Sequence, residues 1–114
     1  MINSEKNFVG FIDTIIAEKY FALRDGRPDD RYIYRLIDKA TDILKERPYY
    51  GTQVKKERIP REYFRRYNIE NLWRYELSDD WRMVYTVAGD GEILTVQVIE
   101  WFDHKEYDKR FGYN

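Results

Sequence analysis

The chain lacks cysteine entirely and has a single histidine, His104. Without cysteine there can be no disulfide framework and no thiolate metal site. One histidine also argues against a structural zinc site, which needs several soft or imidazole ligands. No glycine-rich phosphate loop or other cofactor motif stands in the sequence. We therefore expect a protein without a metal ion or cofactor.

Long apolar runs are missing as well. No stretch approaches the roughly 20 apolar residues that a membrane-spanning helix needs. The N-terminal stretch MINSEKNF has neither the basic start nor the apolar core of a secretory signal. We therefore expect a cytoplasmic protein that does not contact a membrane.

The sequence contains charged and apolar residues in similar amounts. Of its 114 residues, 43% are hydrophobic and 36% are charged. This length and balance indicate one globular domain with a single core. We predict one domain over residues 1–114, with a helical hairpin in 1–50 and a sheet and terminal helix in 51–114.

Residues 1–50 have helical periodicity. From about Ser4 to Leu23, apolar residues recur at spacings of three and four, which predicts an amphipathic helix. Gly26 and Pro28 then interrupt the pattern. A second helix is predicted from about Arg31 until just before Pro48. A short loop between two such helices predicts an antiparallel pair.

After Gly51 the apolar period changes to two. ENLWRYELS, DWRMVYTVA and EILTVQVIEWF read as three strands joined by hairpin turns at 79–80 and 89–91, and 53–59 as a further strand before a helical turn at Pro60. Apolar residues on both faces leave open which face packs on the helices. We predict an α+β fold in which the helical hairpin packs on a small antiparallel meander that ends in a short helix.

Residues 51–66 are locally basic. They contain six Lys or Arg residues against two Glu residues, in a chain whose net charge is −1. Such a segment can hold phosphates, and the aromatic side chains within and after it could stack on bases. The alternative is a solvated face whose aromatic residues turn into the core. These aromatic residues are Tyr63, Phe64 and Tyr67.

The C-terminal stretch EWFDHKEYDKRF predicts a capped helix. Asp103 followed by Glu106 has the spacing of a capping box, and Phe102 with Tyr107 has that of a hydrophobic staple. His104 is then the first helical residue. Two interpretations stay open for it, proton transfer or the mere start of a helix.

The run LWRYELSDDWRMVYTVAGDGEILTVQVIEWFDHKEYDKRF resembles the RelE/ParE superfamily of toxin-antitoxin toxins. The shared features are an R-x-y-R-h-V-Y strand, a hairpin, an I-x-V-h-x-h strand and a closing H-x-x-x-Y or H-x-x-Y, here with His104 and Tyr107. The resemblance covers residues 31–111. The strand that members usually have before the helix pair is not evident in the sequence.

This resemblance implies a RelE-like fold and a toxin that cleaves messenger RNA without a metal ion. It implies that Arg82, with help from Arg74, binds phosphate, and that His104 and Tyr107 move protons or orient the substrate. Both arginines lie near acidic residues, so ion pairs on a solvated face are the competing interpretation. RNA would also contact the basic residues Lys55, Lys56, Arg58, Arg61, Arg65, Arg66 and Arg110.

The resemblance also implies partners. These are an antitoxin protein and RNA or the ribosome, and a dimer is compatible with the sequence. Ribosome-directed toxins are expected to be strongly basic, whereas the net charge of −1 gives little long-range attraction to RNA. The alternative function is a catalytically inactive RelE-like module that binds a protein.

Overall fold

The computed structural model describes residues 7–90 and 92–112. This part of the chain contains four α-helices and five strands, and none of its helices has the length and apolarity that crossing a membrane would require. In chain order the elements are β1 (Asn7–Phe11), α1 (Thr14–Arg24), α2 (Pro28–Glu46), β2 (Thr52–Gln53), a 3₁₀ turn (Lys56–Arg58), α3 (Arg61–Tyr67), β3 (Trp73–Glu76), β4 (Trp81–Asp90), β5 (Ile93–Asp103) and α4 (His104–Phe111).

The five strands form one sheet in the order β1-β5-β4-β3-β2. The pairs between β2, β3, β4 and β5 are antiparallel, and β1 is parallel to β5. The predicted mixture of helices with a C-terminal meander is therefore found. The prediction of a wholly antiparallel sheet is wrong, because the N-terminal segment supplies a parallel edge strand.

Helices α1 and α2 form the predicted hairpin. The Asp13 carboxylate caps α1 by accepting the backbone N–H of Ile16 at 2.9 Å. Helix α2 begins earlier than predicted, at Pro28. Proline has no backbone N–H, and the first position of a helix does not need one for a hydrogen bond within the helix. Asp30 then accepts the backbone N–H of Arg27 at 3.1 Å. The helix ends before Pro48, as predicted.

The hairpin covers one face of the sheet, which we call the hairpin face. Met83 and Tyr85 of β4 are fully buried there with Ile37 of α2. Burial of such side chains contributes about 1.5–3 kcal/mol each. The predicted core role of the alternating aromatic residues is confirmed for Trp73, Tyr75, Trp81 and Tyr85.

The opposite face, which we call the α4 face, carries a second core. Val84 and Ile99 of the sheet pack there with Tyr107 of α4 and Tyr63 of α3. The strands are thus apolar on both faces because helices cover both of them. Tyr63, Phe64 and Tyr67 belong to this core, which favours the core interpretation over base stacking for the aromatic residues of the basic segment.

A β-bulge shapes the α4 face. Val84 pairs with Glu100 while Tyr85 pairs with Val98, so Ile99 is an extra residue in β5. A bulge of this kind turns two successive side chains to the same side of the sheet. Ile99 and Glu100 therefore both reach the α4 face, where Ile99 is buried and Glu100 bonds to neighbouring helices.

The predicted helix over residues 4–23 is wrong at its start. Asn7–Phe11 forms β1, whereas residues 4–6 lie outside the described residues. Val9 and Phe11 pack on the hairpin face at a spacing of two. A short apolar run fits either period, and here pairing with the free edge of β5 selects the strand. Residues 1–50 are therefore not purely helical.

The predicted strand over 53–59 is reduced to Thr52–Gln53. The chain then forms a 3₁₀ turn, which lets Val54 and Ile59 point into the core of the α4 face. Pro60 caps α3 instead of forming its first residue. Two residues of the predicted turn at 89–91, Gly89 and Asp90, are instead the last residues of β4 and pair with β5, and Gly91 lies outside the described residues.

Candidate functional site

The turn between β3 and β4, residues 78–80, holds Arg82 and His104. Arg82 Nη1 donates to the carbonyl oxygens of Ser78 at 3.1 Å and Asp79 at 3.0 Å. The backbone N–H of His104 donates to Asp80 O at 2.7 Å. One short turn therefore brings the two predicted residues to the same end of the sheet.

His104 also faces a carboxylate. Its Nδ1 lies 3.8 Å from Asp80 Oδ1, and 43% of its side chain is exposed. This distance is longer than a hydrogen bond, and Nδ1 is a buried atom without a hydrogen-bond partner among the described residues. His104 is thus a partly exposed imidazole beside a carboxylate.

Helix α4 begins at His104 for the reason that the sequence suggests. The Asp103 carboxylate accepts the backbone N–H of Glu106 at 2.8 Å. Phe102 and Tyr107, the predicted staple, lie in the same buried cluster. The prediction of a capped helix at this point is confirmed. Its cap fixes His104 in the first turn.

Arg74 and Tyr107 meet on the α4 face. The guanidinium carbon of Arg74 lies 5.7 Å from the centre of the Tyr107 ring, within cation–π range. Arg74 also forms an ion pair with Glu76 at 3.3 Å, and 23% of its side chain is exposed. The proposed phosphate binder is therefore held by a ring and a carboxylate.

Tyr107 itself is buried. Its relative exposure is 2%, and its ring stacks on Phe111 with centres 4.3 Å apart. An RNA base cannot stack on a tyrosine ring whose faces are covered by other side chains. The structure favours a supporting role for Tyr107, as the surface on which Arg74 rests.

The basic segment lies along the 3₁₀ turn and α3, on the α4 face. Arg58 and Arg110 have structural contacts: Arg58 Nη1 donates to Gly112 O at 2.7 Å, and Arg110 pairs with Glu100 at 3.0 Å. The other predicted RNA-binding residues are exposed. They are Lys55, Lys56, Arg61, Arg65 and Arg66.

Sequence reasoning missed the polar network of Glu100. Tyr63 donates a hydrogen bond from its hydroxyl to this carboxylate, and Arg110 pairs with it from α4. Burial, followed by the bond to Glu100, raises the pKa of Tyr63 well above its usual range. The bulge at 99–100 carries Glu100 into the network. A period-two reading of EILTVQVIEWF gives no signal for it.

Comparisons of the chain with known protein families, curated proteins and solved structures find no match. The chemistry of the site therefore has to be inferred from its own residues. In the described ranges, no three His, Cys, Asp or Glu side chains are grouped so that they could hold a metal ion.

A proton acceptor lies at the 78–80 turn, and a cation lies on the α4 face. His104 can accept a proton, and Arg74 can bind an anion through a planar fork of donors. Arg82 donates from its Nη1 to the turn. Its contacts order the loop that carries Asp80.

Proposed function

We propose that this protein is a toxin of the RelE/ParE type that cleaves RNA by transesterification without a metal ion. The observation that carries the proposal is the pairing of His104 with Asp80 beside the turn that Arg82 holds. An exposed imidazole next to a carboxylate suits a general base. The resemblance of residues 31–111 to that superfamily supplies the substrate class.

In the proposed reaction, His104 Nε2 accepts the proton of a ribose 2′-hydroxyl. The 2′-oxygen attacks the adjacent phosphorus, and the bond from phosphorus to the 5′-oxygen breaks. The leaving 5′-oxygen takes a proton, either from the imidazolium or from water. The products carry a 2′,3′-cyclic phosphate and a 5′-hydroxyl. Arg74 stabilises the charge on the phosphorane.

The remaining predicted residues act on these two groups. Asp80 orients the imidazole, and Arg82 orders the turn that carries Asp80. Tyr107 supports the Arg74 guanidinium. The strand β1 further supports the proposal, since members of the superfamily usually have a strand before the helix pair.

The test is induced expression in a bacterial host. We expect growth arrest, loss of intact messages and new RNA ends that carry a 5′-hydroxyl. His104→Ala and Arg74→Ala should each relieve the arrest, while Lys39→Ala on exposed α2 serves as the control. Circular dichroism should show that all three variants fold. Normal growth with intact transcripts under wild-type expression would exclude the nuclease.

A second function is favoured by the exposed aromatic and apolar side chains. A catalytically inactive module would use these side chains to bind a protein, and the use of Arg82 by the turn fits this alternative. Co-purification of a stoichiometric partner without toxicity would support it, and a solitary monomer would count against it. The exposed side chains include Phe8, Phe21, Tyr32, Tyr49 and Tyr50.

A further inference from the structure

A groove of about 530 Å³ lies between the 3₁₀ turn and the C-terminal end of α4. Four of its lining residues are cationic and one, Glu57, is acidic. Such an excess is unusual in a chain with a net charge of −1. The cationic residues are Lys55, Arg58, Lys109 and Arg110.

Two of the cations are fixed in place. Arg58 Nη1 donates to the carbonyl oxygens of Phe111 and Gly112, at 3.1 and 2.7 Å. These bonds tie the 3₁₀ turn to the end of α4. Arg110 lies over the Phe102 ring at 4.9 Å and pairs with Glu62, Glu100 and Glu106 at 3.5, 3.0 and 3.9 Å. The walls of the groove are therefore ordered before any ligand arrives.

The two lysines differ from the arginines. Lys55 and Lys109 are exposed and form no ion pair within the described residues. They stand on the two sides of the groove, one before the 3₁₀ turn and one in the last turn of α4. A flexible ammonium on each wall can reach an anion that lies between them.

Helix α4 connects this groove to the site of His104. The helix has eight residues, which span about 12 Å at a rise of 1.5 Å per residue. His104 is its first residue, and Lys109 and Arg110 are in its last turn. A single strand that lies along α4 would therefore reach the groove a short distance from the scissile phosphate.

We propose that this groove binds the phosphate backbone of single-stranded RNA outside the cleavage position. The proposal rests on the proposed nuclease function and adds a second binding site to it. Lys55 and Lys109 hold phosphate oxygens, while Arg58 and Arg110 keep the walls in place through their contacts with the protein. Pro60 provides an apolar wall for a ribose or base. A basic groove with apolar contacts is the usual design for sequence-tolerant binding of single strands.

The experiment measures binding without cleavage. The probe is a fluorescent single-stranded oligonucleotide whose riboses carry 2′-O-methyl groups, so that no nucleophilic hydroxyl is present. The variant is Lys55→Glu with Lys109→Glu in the full chain. The matched control is Lys19→Glu with Lys39→Glu, which reverses the same charge on exposed positions of α1 and α2.

We expect the groove variant to bind the probe roughly tenfold or more weakly than wild type, and the control to stay within about twofold. The log–log salt slope should fall by about 0.7 for each lost phosphate contact. The groove proposal would be overturned if both variants bound the probe equally weakly. It would also be overturned if wild type did not bind the probe. Should the variant fail to fold, Lys55→Gln with Lys109→Gln gives the same comparison with a smaller charge change.

Further measurements separate this proposal from the nuclease. Binding through the groove by a chain that never cleaves RNA would overturn the nuclease and leave the groove intact. If wild type cleaves RNA while the groove variant and the control variant bind the probe equally well, the groove is overturned and the nuclease stands. Polyglutamate serves as a competitor. If it displaces the oligonucleotide at a lower concentration than unlabelled RNA does, the groove proposal is overturned in favour of an acidic protein as the ligand.

Discussion

His104 is joined to Asp80 twice, through its backbone N–H and through its ring. The N–H donates to Asp80 O at 2.7 Å, and Nδ1 lies 3.8 Å from Asp80 Oδ1. The first contact fixes where α4 begins, and the second places a carboxylate beside the imidazole. The backbone contact survives any substitution of the Asp80 side chain, so the two contacts can be tested separately.

Asp80→Asn should lower RNA cleavage by roughly tenfold or more, because the imidazole loses the carboxylate that lies beside it. Stability should change by less than about 1 kcal/mol, since this pair is exposed. The measurements are single-turnover cleavage and urea unfolding. Asp79→Asn is the control, because only the backbone carbonyl of Asp79 is used by Arg82. Equal cleavage by both variants would contradict the orienting role.

Arg74 should tolerate replacement poorly even by lysine. Its guanidinium lies over the Tyr107 ring and pairs with Glu76, and a compact ammonium reproduces neither the stacking nor the fork of donors. Arg74→Lys should therefore lower kcat by about tenfold with the fold retained. Steady-state cleavage with circular dichroism is the measurement. A changed KM with normal kcat would assign Arg74 to RNA binding alone.

The meander and the cap of α4 were predictable because each follows from neighbouring residues. Trp73 and Tyr75 alternate with polar residues, and Asp103 precedes Glu106 by three positions. β1 was not predictable in this way. Its identity as a strand depends on β5, which lies more than 80 residues away in the sequence.

The sequence named candidate residues for the site but not the surroundings of each side chain. The C-terminal motif pointed to His104 and Tyr107, yet burial decides that one is accessible and the other supports Arg74. The Glu100 network depends on a bulge, and a bulge adds a residue without breaking the apolar pattern on either side. Such a shift becomes visible only when the partner strand is in place.

Gly51 and Gly10 provide a matched pair for backbone packing. A Cβ on Gly51 would collide with Arg74 O and lie 2.8 Å from the Tyr85 hydroxyl, whereas none of the heavy atoms described lies within 4 Å of a Cβ on Gly10. Gly51→Ala should cost about 2–3 kcal/mol, because backbone has to move. Gly10→Ala should be neutral or stabilise by about 0.5 kcal/mol. Urea unfolding of both variants is the measurement, and equal effects would contradict the close approach.

The cap of α4 can be removed without touching His104. Asp103→Ala should destabilise the protein by about 1 kcal/mol, because the backbone N–H of Glu106 loses its acceptor. Asp103→Ser keeps an acceptor and should retain most of the stability. Thermal unfolding compares the two variants. If both lose the same stability, the carboxylate acts through its charge and not through the cap.

Tyr85 should make stability depend on alkaline pH. Burial raises its pKa from 10.0 to about 12, although the N–H of Gly51 donates to its hydroxyl and acts in the opposite direction. Below pH 10 the phenol is protonated in both the folded and the unfolded chain, so its contribution is constant. Above pH 10 the unfolded chain releases the proton first, and stability falls by about 1.4 kcal/mol per pH unit up to about pH 12.

Urea unfolding between pH 8 and pH 12 should therefore show a shallower decline for Tyr85→Phe than for wild type. The variant starts from a lower stability at pH 8, because the Gly51 N–H is left without its acceptor. Parallel curves would mean that the Tyr85 phenol ionises equally in both states.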